Sequence, residues 1–392
     1  MLRGKQIICL SSIDWDFNWQ GHQEIMSRYA TAGNRVLFVE NTGIRIPRWP
    51  DLPRLQQRMQ NWHQSPGGIR RVQDNLHVCA PLIFPFPYSS VLQRLNRWLF
   101  LGHIRRWVRR AEFGPPLLWT FLPTQFALEV IDVLKPASVV YYCITDFLEL
   151  APPRRVQRSE AALLRRANVV FAQGEVLADR CRRVHRDEIP IVPFGVNVER
   201  FQQRRYGPLP AELQRIPEPR IGYVGALQRH VDSALLKTLA ARNPDWHFVI
   251  VGPQIAEGNS DWPEANIHLL GAKPHEEIPH YITGFDVCLI PYVLSNFTQT
   301  VYPTKLTEYL ILGKPVVSTP LPEVLAFNQR HDAVVAIGDT PEAFEAQIRH
   351  ALYEDGGQQQ RMAIARQYDW GTRLKAMSRV IEDRIEKAGS VR

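Results

Sequence analysis

Short β-branched apolar runs alternate with helix-patterned segments from one end of the chain to the other. That rhythm admits little besides parallel sheets built from strand–helix–strand units. In the first half, strands are expected at residues 6–11, 35–39, 76–80, 117–121, 138–143, 169–172 and 189–192. Helices are expected between them at 22–32, 125–134 and 175–184. The second half repeats the pattern with strands at 220–224, 246–251, 267–270, 287–290, 315–318 and 333–336, and helices at 232–241, 305–312 and 341–354. A length of 392 residues exceeds what one core ordinarily organises, so two doubly wound domains are expected. Pro208, Pro210, Pro217 and Pro219 punctuate a polar stretch at 202–219. Proline fixes φ and cannot donate to a ladder, so this stretch reads as a linker between domains at 1–201 and 220–365. Domains joined in this way would face each other across a cleft with their strand carboxyl ends, where such sheets bind ligands.

Composition excludes several classes. Apolar residues make up 45% and charged residues 22%, ordinary for a globular chain and incompatible with wholesale disorder. Cys9, Cys79, Cys143, Cys181 and Cys288 are scattered, with no metal or redox spacing, and Cys9, Cys143 and Cys288, inside apolar runs, read as small buried hydrophobes in a reducing compartment. No metal or other cofactor is expected. Behind Arg3 and Lys5 the apolar run is too short for an export signal, and no run approaches membrane-spanning length, so a cytoplasmic location is expected. The net charge of +8 favours an anionic partner without choosing one.

Residues 301–319 are the most informative stretch. Pro303 suits a helix start, Lys305 and Glu308 share one face of the first turn, Gly313 ends the helix, and Pro315 leads into a buried strand. A cation and a carboxylate at a helix N-terminus suit a nucleotide: dipole and lysine favour phosphate, and the carboxylate accepts from ribose hydroxyls. The same spacing also describes an ordinary salt bridge on a solvated helix.

This segment resembles the donor-binding helix of GT-B glycosyltransferases, especially family 4-like enzymes that build bacterial surface polysaccharides, teichuronic acid among them. Other segments fall in the same order: 189–201 resembles the last strand and turn of the N-terminal domain, and 221–225 the first strand and glycine turn of the C-terminal domain. Residues 266–271, ending in Gly271, and 285–291 resemble the base-side loop and the next strand. The resemblance implies the GT-B fold, a mixed α/β architecture, and transfer of a sugar from a nucleotide diphosphate, taken as UDP, to a glycan or lipid-linked saccharide. It also implies that Glu308 binds the donor ribose, that Lys305, Gly225 and Gly271 belong to the donor site, and that a helix within 366–392 returns to the first domain. A second glutamate usual in the family is replaced by Thr300, and Gly225 is followed by Ala226 and Leu227 before Arg229, which leaves the donor sugar and the stereochemical outcome open. Arg229 reads either as a pyrophosphate ligand or as a surface arginine, and Tyr302 either as pocket lining or as packing beside Tyr309.

The pattern is also similar to xanthan-type glucuronosyltransferases, which carry an aspartate where Asp146 follows the strand at 138–143. That resemblance makes Asp146 the candidate base, the alternative being a turn cap. His22, at the start of the first helix, is the second acid–base candidate, or else a cap or packing group.

Residues 91–110 carry Arg94, Arg97, Arg105, Arg106, Arg109 and Arg110 with Trp98, Phe100 and Trp107, and no acid. This suggests contact with an anionic membrane, although a helical wheel drawn over the whole stretch does not confine the arginines to one face. With residues 84–88 it offers a route to a lipid-linked acceptor; nucleic acid is not expected. The loop at 45–68 reads as a helical excursion or a flap over the acceptor. A nucleotide-sugar epimerase of the same fold and a non-catalytic sugar-nucleotide binder are the rival functions.

Overall fold

The computed structural model describes residues 1–16, 19–42, 68–81, 97–147, 153–204, 207–255, 262–353 and 356–390. Residues 45–67, 84–88 and Arg94, singled out above, lie outside them. The chain divides into two compact units: residues 1–173, 177–192 and 373–392 form the first, and 174–176 with 193–372 the second.

The first unit is built on a seven-stranded sheet in the order β3-β4-β2-β1-β5-β6-β7. Its strands are β1 (Gln6–Leu10), β2 (Arg35–Val39), β3 (Ile69–Gln73), β4 (Leu76–Cys79), β5 (Leu117–Thr120), β6 (Ser138–Cys143) and β7 (Val169–Ala172). All pair in parallel except β3, which runs antiparallel to β4. Strands β5, β6 and β7 are buried along their whole length, as parallel strands covered on both faces must be. The apolar side chains of β1, β5 and β6 meet those of helix Gln125–Leu134 in one core. Thr124 caps that helix, its hydroxyl oxygen accepting the Ala127 N–H at 3.3 Å.

Sequence and structure part at three places here. β3 gave no alternation signal, because an edge strand paired on one side buries little of Ile-Arg-Arg-Val-Gln. The strand expected at 189–192 is reduced to a single bridge between Ala172 and Ile191. Pro190 and Pro193 remove the N–H groups that a longer ladder would use. The arginines also sort differently: in helix Gly102–Arg110, Ile104 and Val108 turn inward while Arg105, Arg106, Arg109 and Arg110 are all exposed. The wheel drawn over 91–110 also ran through the preceding π-helical turn, Arg97–Leu101, as if it were α-helix, and the sorting seen here is that of the four arginines in helix Gly102–Arg110.

The second unit carries a six-stranded, all-parallel sheet in the order β10-β9-β8-β11-β12-β13. Its strands are β8 (Arg220–Val224), β9 (His247–Val251), β10 (Ile267–Gly271), β11 (Val287–Ile290), β12 (Val316–Ser318) and β13 (Ala336–Ile337). Asp232 caps helix Ser233–Arg242, accepting the Leu235 N–H at 2.8 Å. β13 starts later than expected because Asp332 and Ala333 take left-handed backbone angles, φ 52° and 55°, in place of extended ones. The stretch read as a linker contains helix Ala211–Gln214, and Leu213 and Ile216 bury in this unit's core. All five cysteines are free and buried.

The last helix, Trp370–Ser390, packs with the first unit from residue 373 onward. Leu374, Met377 and Ile381 are fully covered. Ser378 accepts the Leu2 N–H at 3.0 Å and meets the Tyr29 hydroxyl at 3.4 Å.

Candidate functional site

Each sheet grows outward in both directions from one pair of neighbouring strands, β1 and β5 in the first unit and β8 and β11 in the second. At such a switch point the loops leaving the two strands diverge and open a crevice at their carboxyl ends, where open α/β sheets bind ligands.

In the second unit that crevice is lined by backbone. Gly225 follows β8, Gly252 follows β9 and Gly271 ends β10, linked by bonds from Gly225 N–H to the Val251 carbonyl and from Gly252 N–H to the Gly271 carbonyl, both 2.9 Å. A β-carbon on Gly252 would lie 2.0 Å from the Gly225 carbonyl oxygen, so only glycine fits. A β-carbon on Gly225 would lie 3.0 Å from Lys305 Cε and 3.1 Å from its Nζ, which puts the lysine directly over the turn. Lys305 Nζ donates to the Tyr292 hydroxyl at 2.8 Å and stands 5.4 Å from the ring centroids of both Tyr223 and Tyr292. Two aromatic faces and a hydroxyl thus fix an ammonium at the switch point.

Glu308 lies one turn along helix Lys305–Ile311. Part of its surface stays accessible, yet the protein packed around it pushes its carboxyl pKa up, with His275 and Lys305 pulling the other way. His230 sits against Tyr292, ring centroids 4.8 Å apart, and burial, helped by Lys305 and Arg229, lowers its pKa to about 4. It is therefore a neutral ring beside the lysine at physiological pH. Arg229 itself is exposed on the turn before His230. Tyr302 is buried in the core of the unit, and the Thr300 hydroxyl donates to the Phe297 carbonyl at 3.0 Å within its own turn. Sequence reasoning missed Gly252, Tyr223, Tyr292, His230 and His275; only Gly252, a glycine directly after an apolar strand, left a signal that could have found it.

In the first unit the crevice beside β1 and β5 holds His22, but 1% exposed. Its Nε2 is 2.9 Å from the Ser12 hydroxyl, its ring lies 4.2 Å from that of Phe121, and burial lowers its pKa to about 3. Asp146, three residues past the end of β6, is partly exposed and pairs with Arg180, Oδ1 to Nη1 2.7 Å. Arg180 also reaches Glu160 Oε1 at 3.0 Å and Cys143 Sγ at 3.5 Å. Burial works against the Arg180 charge, and the facing Cys143, Glu160, Tyr141 and Asp146 outweigh it. Among the described residues, Cys143, Glu160 and Cys181 are the group that brings three potential metal ligands within 4.8 Å of one another. The guanidinium already bound to Glu160 opposes a cation there.

Residues 218–354 match the profile of the family described as Glycosyl transferases group 1. That match falls within the second unit. Among curated proteins, the chain is 29% identical over 225 residues to the Putative teichuronic acid biosynthesis glycosyltransferase TuaH of Bacillus subtilis (strain 168), covering 55% of this chain and 57% of that one. It is 26% identical over 229 residues to the 2-deoxystreptamine glucosyltransferase of Streptomyces kanamyceticus, covering 51% and 56%. The matches thus span little more than half the length of either relative. Sucrose-phosphate synthase from Thermosynechococcus elongatus superposes with a TM-score of 0.68 at 15% identity, over 97% of this chain and 98% of that one. Anabaena Alr3699/HepE in complex with UDP and glucose gives 0.64 at 17%, over 97% and 100%. Likeness over nearly the whole chain shows the GT-B fold, and the stretch that matches the group 1 profile lies in its second half.

Proposed function

We propose that the chain is a glycosyltransferase moving a sugar from a UDP-linked donor to a saccharide or lipid-linked saccharide in surface polysaccharide synthesis. The observation that carries this reading is Lys305, fixed over the Gly225 turn at the switch point of the group 1 domain. A diphosphate set there would meet the ammonium and the N-terminus of helix Lys305–Ile311, while Glu308 accepts from ribose hydroxyls. The acceptor oxygen forms the new bond to the anomeric carbon, the bond to phosphate breaks, and UDP leaves with the electron pair. Asp146, in the loop beyond β6, takes the acceptor proton. The UDP and glucose in the HepE complex and the polysaccharide named for TuaH support the choice of donor and pathway.

Melting curves against a panel of nucleotide sugars, followed by UDP release with saccharide acceptors, test this. A UDP-sugar at about 100 times its dissociation constant should add about 2.7 kcal/mol of stability. Turnover should be insensitive to EDTA, since lysine and helix N-terminus supply the charge a metal would. Activity lost in EDTA and restored by magnesium would remove the metal-independent part of the reading. Epimerised sugar nucleotide formed without any acceptor would replace transfer altogether.

Glu308→Ala should weaken donor binding by roughly 10- to 100-fold, since a charged hydrogen bond contributes about 1.5–3 kcal/mol. Calorimetric titration with UDP checks this; an unchanged dissociation constant assigns Glu308 to structure.

A lipid-linked acceptor would bring the enzyme to the inner face of the membrane. Support comes from the solvent-facing Arg105, Arg106, Arg109 and Arg110, and from Trp98, which is 75% exposed. No helix among the described residues is long and apolar enough to cross a membrane. Sedimentation with phosphatidylglycerol vesicles should carry the protein down and neutral vesicles should not. Charge reversal of the four arginines should abolish the difference, each being worth about 1 kcal/mol at such a surface.

A further inference from the structure

We propose that Arg180 is a positioning residue for catalysis, its guanidinium bridging the partly exposed Asp146 to the buried Glu160 and thereby aiming the Asp146 carboxylate. The inference rests on the reading of Asp146 as the base. Three separate elements converge to make the bridge: β6 supplies Tyr141 and Cys143, helix Pro153–Arg166 supplies Glu160, and helix Glu175–Arg182 supplies Arg180 and Cys181.

The order of contacts runs from the interior outward. The Tyr141 hydroxyl, kept a neutral donor by burial, gives its hydrogen to Glu160 Oε1 at 2.7 Å. The same oxygen accepts from Arg180 Nη2 at 3.0 Å, and Arg180 Nη1 reaches Asp146 Oδ1 at 2.7 Å. Glu160 is 6% exposed and cannot swing away without leaving a charge buried and unpaired. The guanidinium is thus held on one side by its hydrogen bond to Glu160, and on the other its charge faces the Asp146 carboxylate as an ion pair. Asp146 lies in the loop beyond β6, outside any ladder, where the side chain's direction depends on such a partner. A misplacement of about 1 Å at a reacting group costs roughly 10²-fold in rate, so losing this brace should be read directly in turnover.

The test compares Arg180→Gln and Arg180→Lys, each in the wild-type chain and with Asp146→Asn, reading kcat, donor KM and melting temperature. Folded R180Q should lose about 10- to 100-fold in kcat with donor KM unchanged. R180K keeps the charge but has one nitrogen where the bridge uses two, so it should recover part of the loss. In the D146N background neither change should lower the residual rate by more than about twofold, because residues acting as one unit are not additive. A kcat within about twofold of wild type for R180Q, or for R180K should R180Q fail to fold, overturns the proposal. So does an equal loss from R180Q with and without Asp146. D146N that retains its turnover removes the base assignment first and the positioning role with it; inactive D146N beside active R180Q removes the positioning role alone.

Discussion

Asp146→Asn should lower turnover by about 10²–10⁴-fold while leaving donor affinity and melting temperature nearly unchanged. Sugar hydroxyls are weak nucleophiles, and the proton must leave as the new bond forms. Asparagine keeps the shape of the side chain and one oxygen for Arg180, but it has no basic oxygen to receive that proton. Donor affinity should hold, because every residue assigned to the donor belongs to the other unit. Steady-state UDP release with the preferred sugar nucleotide and acceptor measures the first effect, and calorimetry the second. A mutant with most of its turnover would make Asp146 a turn residue. His22, though only 1% exposed, would then be the next acid–base candidate.

Deleting everything after Tyr368 should unfold the first unit or bring it close to unfolding. The deletion takes Leu374, Met377 and Ile381 out of a seat where they are at most 1% exposed. At about 1.5–3 kcal/mol for each large apolar side chain, roughly 5–9 kcal/mol is lost. That is comparable with the whole stability of an ordinary domain, about 5–15 kcal/mol. The Leu2 N–H also loses Ser378, its acceptor. Circular dichroism melts and limited proteolysis of the truncated chain report the result. A cut confined to residues before 192 would place the damage in the first unit, and native-like stability would show the helix to be dispensable. Leu374→Ala alone should cost about 2–5 kcal/mol.

What could be read from the sequence follows from how locally each feature is encoded. Strands such as Ser138–Cys143 and Val287–Ile290 are buried on both faces, so their own residues announce them. Ile69–Gln73 is an edge strand whose formation depends on β4 beside it, and nothing within it says so. The same division holds at the site. Lys305 and Glu308 share one helical turn and were visible by spacing. Tyr292, 13 positions from Lys305, becomes its hydrogen-bond partner only when the loop after β11 folds over the glycine turn. The Asp146–Arg180–Glu160 bridge unites residues from a loop and two helices, and no window of sequence contains it. Arginine content exposed the charge of the 91–110 stretch, but its sidedness depended on where the α-helix begins.

The closing helix also sets an order of events at the ribosome. Residues 1–192 emerge early, yet the segment that completes their fold, 373–392, follows the entire second unit. At about 5–20 residues per second, the intervening stretch takes roughly 10–35 s to synthesise. Throughout that interval the seat for Leu374, Met377 and Ile381 stands open, and Leu2 and Tyr29 await Ser378. The first unit is therefore completed only after the second has been synthesised.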